Sequence, residues 1–225
     1  MATPILMTDD LQSILRLQTW LSPVFPVGGF AYSHGLERAV HDAIVDDEET
    51  LALWLESLLA HGSPWNDAVL LVASWKRAGV GARDLIELGE AMAISKERQL
   101  ETMAQGQAFL DAIGHWPLPD GFEKPNEAPL PVAVGMMCGV LDVPLEAAVG
   151  AYLQAFTNNQ LQAAIRLSVL GQKGAARLMA RLEPLLIDMS KKAIKITLDD
   201  LASASIQADI MAMNHETQTT RLFRS

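Results

Sequence analysis

The chain has 225 residues, enough for one domain or at most two small ones, and half of its residues are hydrophobic. Its 17 basic and 27 acidic residues give a formal net charge of −10, which argues against non-specific binding to nucleic acids or anionic membranes, because both need a basic surface. A single cysteine, Cys138, and the lack of a signal-peptide pattern predict a cytoplasmic protein without a disulfide.

Helical periodicity dominates the first half of the chain. Ala, Leu and Met are abundant and runs of β-branched residues are few, which favours helix. A first helix has an apolar stripe of Leu11, Ile14, Leu15 and Leu17, and Asp9 and Asp10 can cap it. The spacing of apolar residues predicts helices at about 9–21, 30–44, 46–61, 64–78 and 83–113.

A Pro- and Gly-rich segment, residues 21–29, separates the first two helices. Pro23 and Pro26 bias their preceding residues away from the helical conformation, and Gly28-Gly29 lets the backbone turn. We call residues 21–37 the elbow. Either Gly28 or Gly29 is expected to need a conformation that other residues avoid.

The second half repeats the helical pattern. A Pro-rich loop at 115–131 precedes it. The last two predicted helices follow Gly171 and Asp199-Asp200. Pro184 is predicted to kink or restart the helix that follows Gly171. Helices are predicted at about 130–141, 144–170, 175–189 and 200–213. We therefore predict an all-α helical bundle of about nine helices, forming one domain over residues 1–225 with 115–131 as a surface loop.

Motifs for nucleotide or metal chemistry are incomplete. Gly28-Gly29 precedes a helix, but neither GxxxxGK[ST] nor GxGxxG is present. His215-Glu216 begins an HExxH pattern that position 219, a Thr, breaks. His34, Glu37 and His41 share a helical spacing, and a nickel site there is a minor alternative to exposed or hydrogen-bonded histidines.

The remaining acidic and thiol groups have structural explanations. The acidic run 46–49 and the pair 199–200 fall at predicted helix starts, where carboxylates cap the helix, so a Mg²⁺-dependent lyase is disfavoured. Cys138 lies in an apolar helix and is expected to be an inert core thiol. The sequence therefore predicts no enzyme active site.

Two polar segments leave alternatives open. Asn158, Asn159 and Gln160 interrupt an apolar helix, with Arg166 further along it, and form either an interhelical hydrogen-bond network or a polar channel or dimer contact. The tail, residues 215–225, ends in Arg221-Leu222-Phe223-Arg224 and is either a frayed end or a docking peptide, since Arg and Phe are enriched at interface centres. No predicted core helix includes residues 221–225, so their removal is expected to change stability little.

Three segments carry a family resemblance. SPVFPVGGFAYSHGLE at 22–37, AAIRLSVLGQ at 163–172 and HETQTTRLFRS at 215–225 resemble segments of the urease accessory protein UreF family, in the order expected. The resemblance implies an all-α homodimer that is not an enzyme and acts in urease maturation. It also implies docking of the tail. Carried over by motif, the partner-binding positions are Tyr32, His34, Gly35, Glu37, Arg166, His215, Glu216, Arg221, Leu222, Phe223 and Arg224.

The resemblance further implies partners. UreF family members bridge a UreD/UreH-type accessory protein and the GTPase UreG on apo-urease, and they gate GTP-dependent nickel insertion. The complex handles the nickel, so this chain is expected to hold no cofactor or metal of its own. The alternative is a small helical nickel-binding carrier protein that uses His34, His41 and Cys138.

Overall fold

Helices form nearly all of the regular structure. The computed structural model describes residues 8–202 and 204–225, and no strand occurs in those two ranges. The predicted all-α class is therefore confirmed. The α-helices are α1 (Thr8–Trp20), α2 (Leu36–His41), α3 (Glu48–His61), α4 (Ser63–Arg77), α5 (Arg83–Ala91), α6 (Lys96–Ile113), α7 (Leu130–Val140), α8 (Leu145–Arg166), α9 (Gln172–Ala193) and α10 (Ile206–His215), and short 3-10 helices lie at Gly29–Ala31 and Leu198–Asp200.

The centre of the fold is the packing of α4 on α7. Eight consecutive residues of α7, 131–138, are buried, which explains why this helix is apolar all round. Ser74 on α4 donates a hydrogen bond to the Val132 carbonyl at 2.7 Å, and the Trp75 indole donates to the Val143 carbonyl at 2.8 Å. Cys138 is fully buried here, and burial raises the pKa of its thiol to about 12, as expected for an inert core thiol.

Surface ion pairs join α3 to α9. Arg181 contacts Glu49 at 2.6 Å and Glu56 at 3.1 Å, and Arg177 contacts Glu48 at 2.6 Å. The acidic run 46–49 therefore has two roles. Its glutamates bind α9, and Asp47 caps α3 by accepting the Thr50 backbone N–H at 2.8 Å.

Four predicted helices differ from the observed ones. The last helix starts at Ile206 and not at Asp199-Asp200, which lie in the second 3-10 helix, where Asp200 accepts the Thr197 backbone N–H at 2.8 Å. The helix expected over 83–113 is two helices, because the chain breaks at 92–95 and the Ser95 hydroxyl accepts the Arg98 backbone N–H at 3.1 Å to start α6. The helix expected over 30–44 is a 3-10 turn followed by the short α2. Pro184 neither ends nor restarts a helix, since α9 continues through it.

The predicted apolar stripe of α1 faces solvent. Leu11, Ile14 and Leu15 are 51, 39 and 56 % exposed, whereas Leu17 and Trp20 are buried. The large apolar side chains that α1 buries, Leu17 and Trp20, therefore lie at its carboxyl-terminal end, and Ser13 is also buried. The side chains of Asp9 and Asp10, predicted to cap this helix, lie outside the described side chains.

An aromatic cluster holds the end of α1 beside the elbow. Trp20 meets Phe109 and Trp116 edge to face, with ring centroids 6.4 and 5.8 Å apart. Phe25 of the elbow packs against the same two rings at 5.4 and 5.9 Å. Trp116 belongs to the connection between α6 and α7, so this connection helps to position the elbow. Among the described residues, no helix is long and apolar enough to cross a membrane.

Candidate partner-binding site

Two glycines with positive φ shape the elbow. Gly28 has φ 71° and precedes the 3-10 turn, and Gly35 has φ 78° and is the N-cap of α2. An added Cβ at Gly35 would lie 2.7 Å from the Ala212 backbone nitrogen of α10. Gly29 does not have a positive φ, but an added Cβ there would lie 2.7 Å from the Asn159 amide nitrogen. The prediction that Gly28 or Gly29 needs a special conformation is therefore met at Gly28.

The tail folds back onto the elbow through backbone hydrogen bonds. The Arg224 backbone N–H donates to the Ala31 carbonyl at 2.8 Å, and the Ser33 backbone N–H donates to the Ser225 carbonyl at 2.7 Å. The Ser33 hydroxyl donates to the same carbonyl. Phe223 is 4 % exposed and belongs to the hydrophobic core. No predicted core helix includes residues 221–225, yet Phe223 is a core residue, so their removal should lower the stability of the fold.

Glu37 is the buried acceptor that fixes the tail. Its carboxylate accepts the backbone N–H groups of Leu222 at 2.7 Å and Phe223 at 2.9 Å, although the side chain is only 6 % exposed. Its oxygen Oε2 also lies 3.1 Å from Nε2 of His215. A buried carboxylate is stabilised by such donors, so Glu37 and the tail depend on each other.

His215 joins α10 to both α2 and α6. Its ring is fully buried, with Nε2 facing Glu37 and Nδ1 2.8 Å from Oε2 of Glu97. Because carboxylate oxygens only accept hydrogen bonds, the ring satisfies both contacts in its doubly protonated form. Arg221 pairs with the other oxygen of Glu97, and Glu216 accepts the Lys96 backbone N–H at 2.8 Å at the start of α6.

Arg166 connects the end of α8 to the other two segments. Its guanidinium donates to the Phe30 carbonyl at 2.6 Å and lies over the Phe223 ring, 4.1 Å from the ring centroid. The elbow, the end of α8 and the tail therefore meet in one place. We call this the three-segment surface. Its exposed side chains are Phe30, Arg166, Arg221, Leu222 and Arg224, and Tyr32 is half-buried beside them.

Beneath the elbow lies a charged cluster that links three helices. His34 contacts Glu101 at 2.9 Å, and Arg98 contacts Glu101 at 2.8 Å and Asp67 at 3.6 Å. The Tyr152 hydroxyl donates to Asp67 at 2.9 Å. Arg98 and Glu101 are buried, with 8 and 1 % of their side chains exposed.

The two carboxyls of this cluster respond to burial differently. For Glu101, burial favours the neutral form, but the charges of Arg98 and His34 outweigh it and lower the pKa to about 2. For Asp67, whose guanidinium contact is longer, burial dominates and raises the pKa above its ordinary value. Arg98 stays charged, because the nearby carboxylates raise its pKa despite the burial.

The residues proposed for a metal do not converge. His41 is exposed and contacts Asp42 at 2.9 Å, while Glu37 binds the tail. His34 faces Glu101, and Cys138 is in the α7 core. In the described part of the chain, no group of three His, Cys, Asp or Glu residues is placed to hold a metal ion.

Comparison with known proteins identifies the family. The family model described as UreF matches residues 45–183. The chain is also 53% identical over 221 residues to urease accessory protein UreF 1 of Brucella anthropi, covering 97% of this chain and 96% of the relative. It is 53% identical over 224 residues to urease accessory protein UreF of Mesorhizobium japonicum, covering 97% of this chain and 100% of the relative.

The chain belongs to the UreF family. The resemblance found in three short segments is thereby confirmed. The match to the UreF family model covers residues 45–183, which lie between the elbow and the tail and include helices that hold these two segments together. In this UreF chain, the elbow and the tail lie outside the matched range, so their arrangement rests on the contacts described above.

Sequence reasoning missed the residues that hold the UreF tail in place. Glu97, Arg98 and Glu101 look like the polar face of a helix in the sequence, yet Arg98 and Glu101 are buried and Glu97 binds both His215 and Arg221. One available signal was Ser95, since a Ser followed by helix formers marks a helix start.

The polar run of α8 divides in the structure. Asn158 is exposed, and Asn159 lies against Gly29 of the elbow. Gln160 is fully buried, and neither atom of its amide has a hydrogen-bond partner among the described residues. The described residues therefore form no interhelical hydrogen-bond network through the Gln160 side chain.

Proposed function

We propose that this chain is a non-enzymatic urease maturation factor. It bridges a UreD/UreH-type accessory protein and the GTPase UreG on apo-urease, and it gates GTP-dependent nickel insertion. Nickel is the cargo of the complex, and this chain holds no cofactor of its own. Its place of action is the cytoplasm, and it works as a homodimer.

One observation carries the proposal: the three segments that resemble the family meet in one surface. Arg166 is hydrogen-bonded to the elbow and lies over Phe223 of the tail. These segments lie at least 40 positions apart in the sequence, so their meeting is not a consequence of local structure. A shared surface for a partner explains their meeting, alongside the structural contacts.

The exposed side chains of the three-segment surface suit a protein interface. Arg221, Arg224 and Leu222 point outward from a tail whose backbone is fixed by Glu37. A fixed backbone reduces the conformational entropy lost on binding, and Arg is enriched in interface hot spots. Arg221 is paired with Glu97, but Arg166 and Arg224 contact no carboxylate among the described residues, so on a chain of net charge −10 they give this surface a local charge opposite to that of the whole protein.

The buried members of the predicted set have a different role. His215, Glu37 and Phe223 are inaccessible to a partner, so we assign them to positioning the tail. Gly35 brings α2 against α10, and Glu216 caps α6. His34 faces the buried cluster. Direct contact then falls to Tyr32, Arg166, Arg221, Leu222 and Arg224.

The test replaces exposed arginines one at a time. Arg221→Ala and Arg224→Ala should each fold as the parent does by circular dichroism, yet weaken assembly with the GTPase-containing complex. A hot-spot truncation commonly costs about 2 kcal/mol, or roughly thirtyfold in Kd. Arg83→Ala is the matched control, because Arg83 is 92 % exposed on α5 and contacts Glu87 on its own helix.

Separate pull-downs with the UreD/UreH-type protein, UreG and apo-urease identify the contact that is lost. Urease activity in cells that express each variant gives the functional result. If both arginine variants assemble and activate urease as well as Arg83→Ala does, the three-segment surface is not the docking site.

A further inference from the structure

A groove of about 750 Å³ runs along α8, between this helix, the elbow and α6. Residues of α8 from Tyr152 to Arg166 line it, a length of about 20 Å at the helical rise per residue. Tyr152 contacts Asp67 at one end, and Arg166 contacts the Phe30 carbonyl at the other. We call this cavity the α8 groove. Its length suits an extended or helical chain segment better than a compact small molecule.

The walls of the α8 groove are mostly apolar. Aromatic side chains of α1, the elbow and α8 contribute much of its lining, namely Trp20, Phe25, Phe30, Tyr152 and Phe156. The ring of Phe30 is 66 % exposed, although it lies beside the groove. Apolar side chains of a partner would remove such surface from water, and this removal is the main favourable contribution to most protein association.

Charged groups at the Tyr152 end of the groove pair with one another. Arg98 contacts Glu101 at 2.8 Å and Asp67 at 3.6 Å, and the Tyr152 hydroxyl donates to Asp67 at 2.9 Å. Glu101 also faces His34. A charged group of a partner would gain little at this end, because it would compete with pairs that are already formed.

Arg166 gives the opposite end of the groove a different charge environment. Its guanidinium is exposed, and no carboxylate in the described ranges contacts it. The group is held by the Phe30 carbonyl at 2.6 Å and by the Phe223 ring, whose centroid is 4.1 Å away. A guanidinium that is already held in place loses less conformational freedom on binding, and it can bind a carboxylate through two parallel hydrogen bonds.

The α8 groove opens onto the three-segment surface. Phe30 and Arg166 belong to both. The exposed amides of Asn158 and Gln162 also line the groove, and an amide can both donate to and accept from a peptide backbone. A partner that docks on the three-segment surface is therefore next to the groove.

We propose that the α8 groove receives a segment of the protein that docks on the three-segment surface. Bulky apolar side chains of this segment lie along the groove, beside Phe25 and Phe156, and an Asp or Glu of the segment pairs with Arg166. The inference rests on the proposed function, because it requires a partner at that surface. The partner segment is therefore amphipathic and acidic at the end that meets the end of α8.

Three peptides of six residues with blocked ends test this chemistry. Phe-Ala-Leu-Phe-Glu-Glu has the proposed character, Phe-Ala-Leu-Phe-Lys-Lys reverses its charge, and Ala-Ala-Ala-Ala-Glu-Glu lacks its bulky side chains. Saturable shifts of backbone amide signals in nitrogen-15 NMR spectra of the full chain give the affinities. We expect the first peptide to bind at least about fivefold more tightly than either of the others. The net charge of −10 favours the lysine peptide overall, so the opposite ranking reports a local cation.

Substitutions of Arg166 test which cation is responsible. Arg166→Gln should abolish the preference for the glutamate peptide over the lysine peptide, whereas Arg166→Lys keeps the charge and should retain part of the preference. Arg224→Gln is the matched control, because this exposed arginine lies on the three-segment surface but does not line the groove. It should leave the preference unchanged.

A variant that fills the groove tests the location. Ala155 lines the groove from α8, so Ala155→Phe should weaken both binding of the first peptide and assembly with the partner complex at least about tenfold in Kd. Gln154→Phe adds the same ring at the neighbouring exposed position, which does not line the groove, and should change neither. Thermal unfolding of both variants checks that they fold.

Four outcomes overturn the inference. They are the absence of saturable shifts with the first peptide, binding of either other peptide at least as tightly, equal behaviour of Ala155→Phe and Gln154→Phe, and conversion of a dimeric parent to a monomer by Ala155→Phe. The last result would mean that a second copy of this chain occupies the groove. If Ala155→Phe does not fold, the peptide preferences of the Arg166 and Arg224 variants decide.

The arginine variants of the docking test separate this inference from the proposed function. If Arg221→Ala and Arg224→Ala weaken assembly but Ala155→Phe does not, the three-segment surface remains the docking site and the groove is not used. If all three variants assemble as the parent does, the docking site is wrong and the inference fails with it. Loss of assembly in all three supports both.

Discussion

Replacing Glu37 by glutamine should destabilise the fold, because this one carboxylate receives three donors. Oε1 accepts the Leu222 N–H at 2.7 Å, and Oε2 accepts the Phe223 N–H at 2.9 Å and faces Nε2 of His215 at 3.1 Å. An amide of the same shape has one oxygen. In the more favourable of its two orientations, the glutamine amide keeps its oxygen next to the Phe223 N–H and Nε2 of His215. Its NH₂ group then faces the Leu222 N–H, which has no acceptor.

The expected loss combines two effects. A backbone N–H left without an acceptor costs about 1–3 kcal/mol, and the loss of charge weakens the two remaining hydrogen bonds by about 1 kcal/mol together. Glu37→Gln should therefore lower the free energy of unfolding by about 2–4 kcal/mol. That is a large part of the 5–15 kcal/mol that is typical of a folded domain.

Urea unfolding followed by circular dichroism measures this loss. The midpoint should fall while the m-value stays constant, since the folded state remains compact. Hydrogen exchange should show that the Leu222 and Phe223 amides lose protection first. Glu216→Gln is the control, because Glu216 also accepts a backbone N–H, from Lys96, but is exposed, and its effect should be much smaller. A loss below about 1 kcal/mol for Glu37→Gln would refute the reasoning.

Four further outcomes are expected. Gly35→Ala should lower the free energy of unfolding by about 2 kcal/mol or more, because φ is 78° at this position and the new Cβ would meet Ala212. The melting temperature should fall accordingly, and an unchanged melting temperature would contradict this. Phe223→Ala should cost about 3 kcal/mol in urea unfolding if this ring is core, and close to nothing if the tail is frayed. Burial raises the pKa of Glu101, but Arg98 and His34 outweigh burial and lower this pKa from 4.5 to about 2, so its contribution to stability is complete above pH 4.5 and is lost as the pH falls toward about 2. Glu101→Gln should therefore make the free energy of unfolding less dependent on pH in that range. An unchanged pH dependence would contradict this prediction. Light scattering should give twice 24.4 kDa, and a clean monomer at micromolar concentration would rule out the proposed homodimer.

The helices were predictable because their signals are local. Asp47 caps α3 and acidic residues follow it in the first turn, as the sequence indicates. The exposed stripe of α1 shows the limit of this reasoning. Leu11, Ile14 and Leu15 have the spacing of a buried face, yet periodicity reports a face and does not state what covers it.

The contacts between the elbow, the end of α8 and the tail could not be predicted from the sequence. Residues 221–225 belong to no predicted core helix, so their removal was expected to change stability little, and the local sequence gives no sign of a partner. The partner is Glu37, 185 positions from Leu222. Arg98 and Glu101 look like a solvated pair at helical spacing, and their burial depends on Asp67 and His34 from other segments. No local pattern records contacts of this kind.

The tail contacts also constrain when the fold can be completed. The hydrogen bond from Ser33 to Ser225 spans 192 positions, and that from Phe223 to Glu37 spans 186. Non-local contacts form late, because the loop they close costs entropy before they contribute stability. On the ribosome, the elbow forms early but cannot be closed until residues 215–225 emerge. In a chain interrupted before that point, Glu37, a carboxylate that the finished fold buries, would lack its hydrogen-bond donors. Proteases and chaperones would readily distinguish such a chain from a finished one.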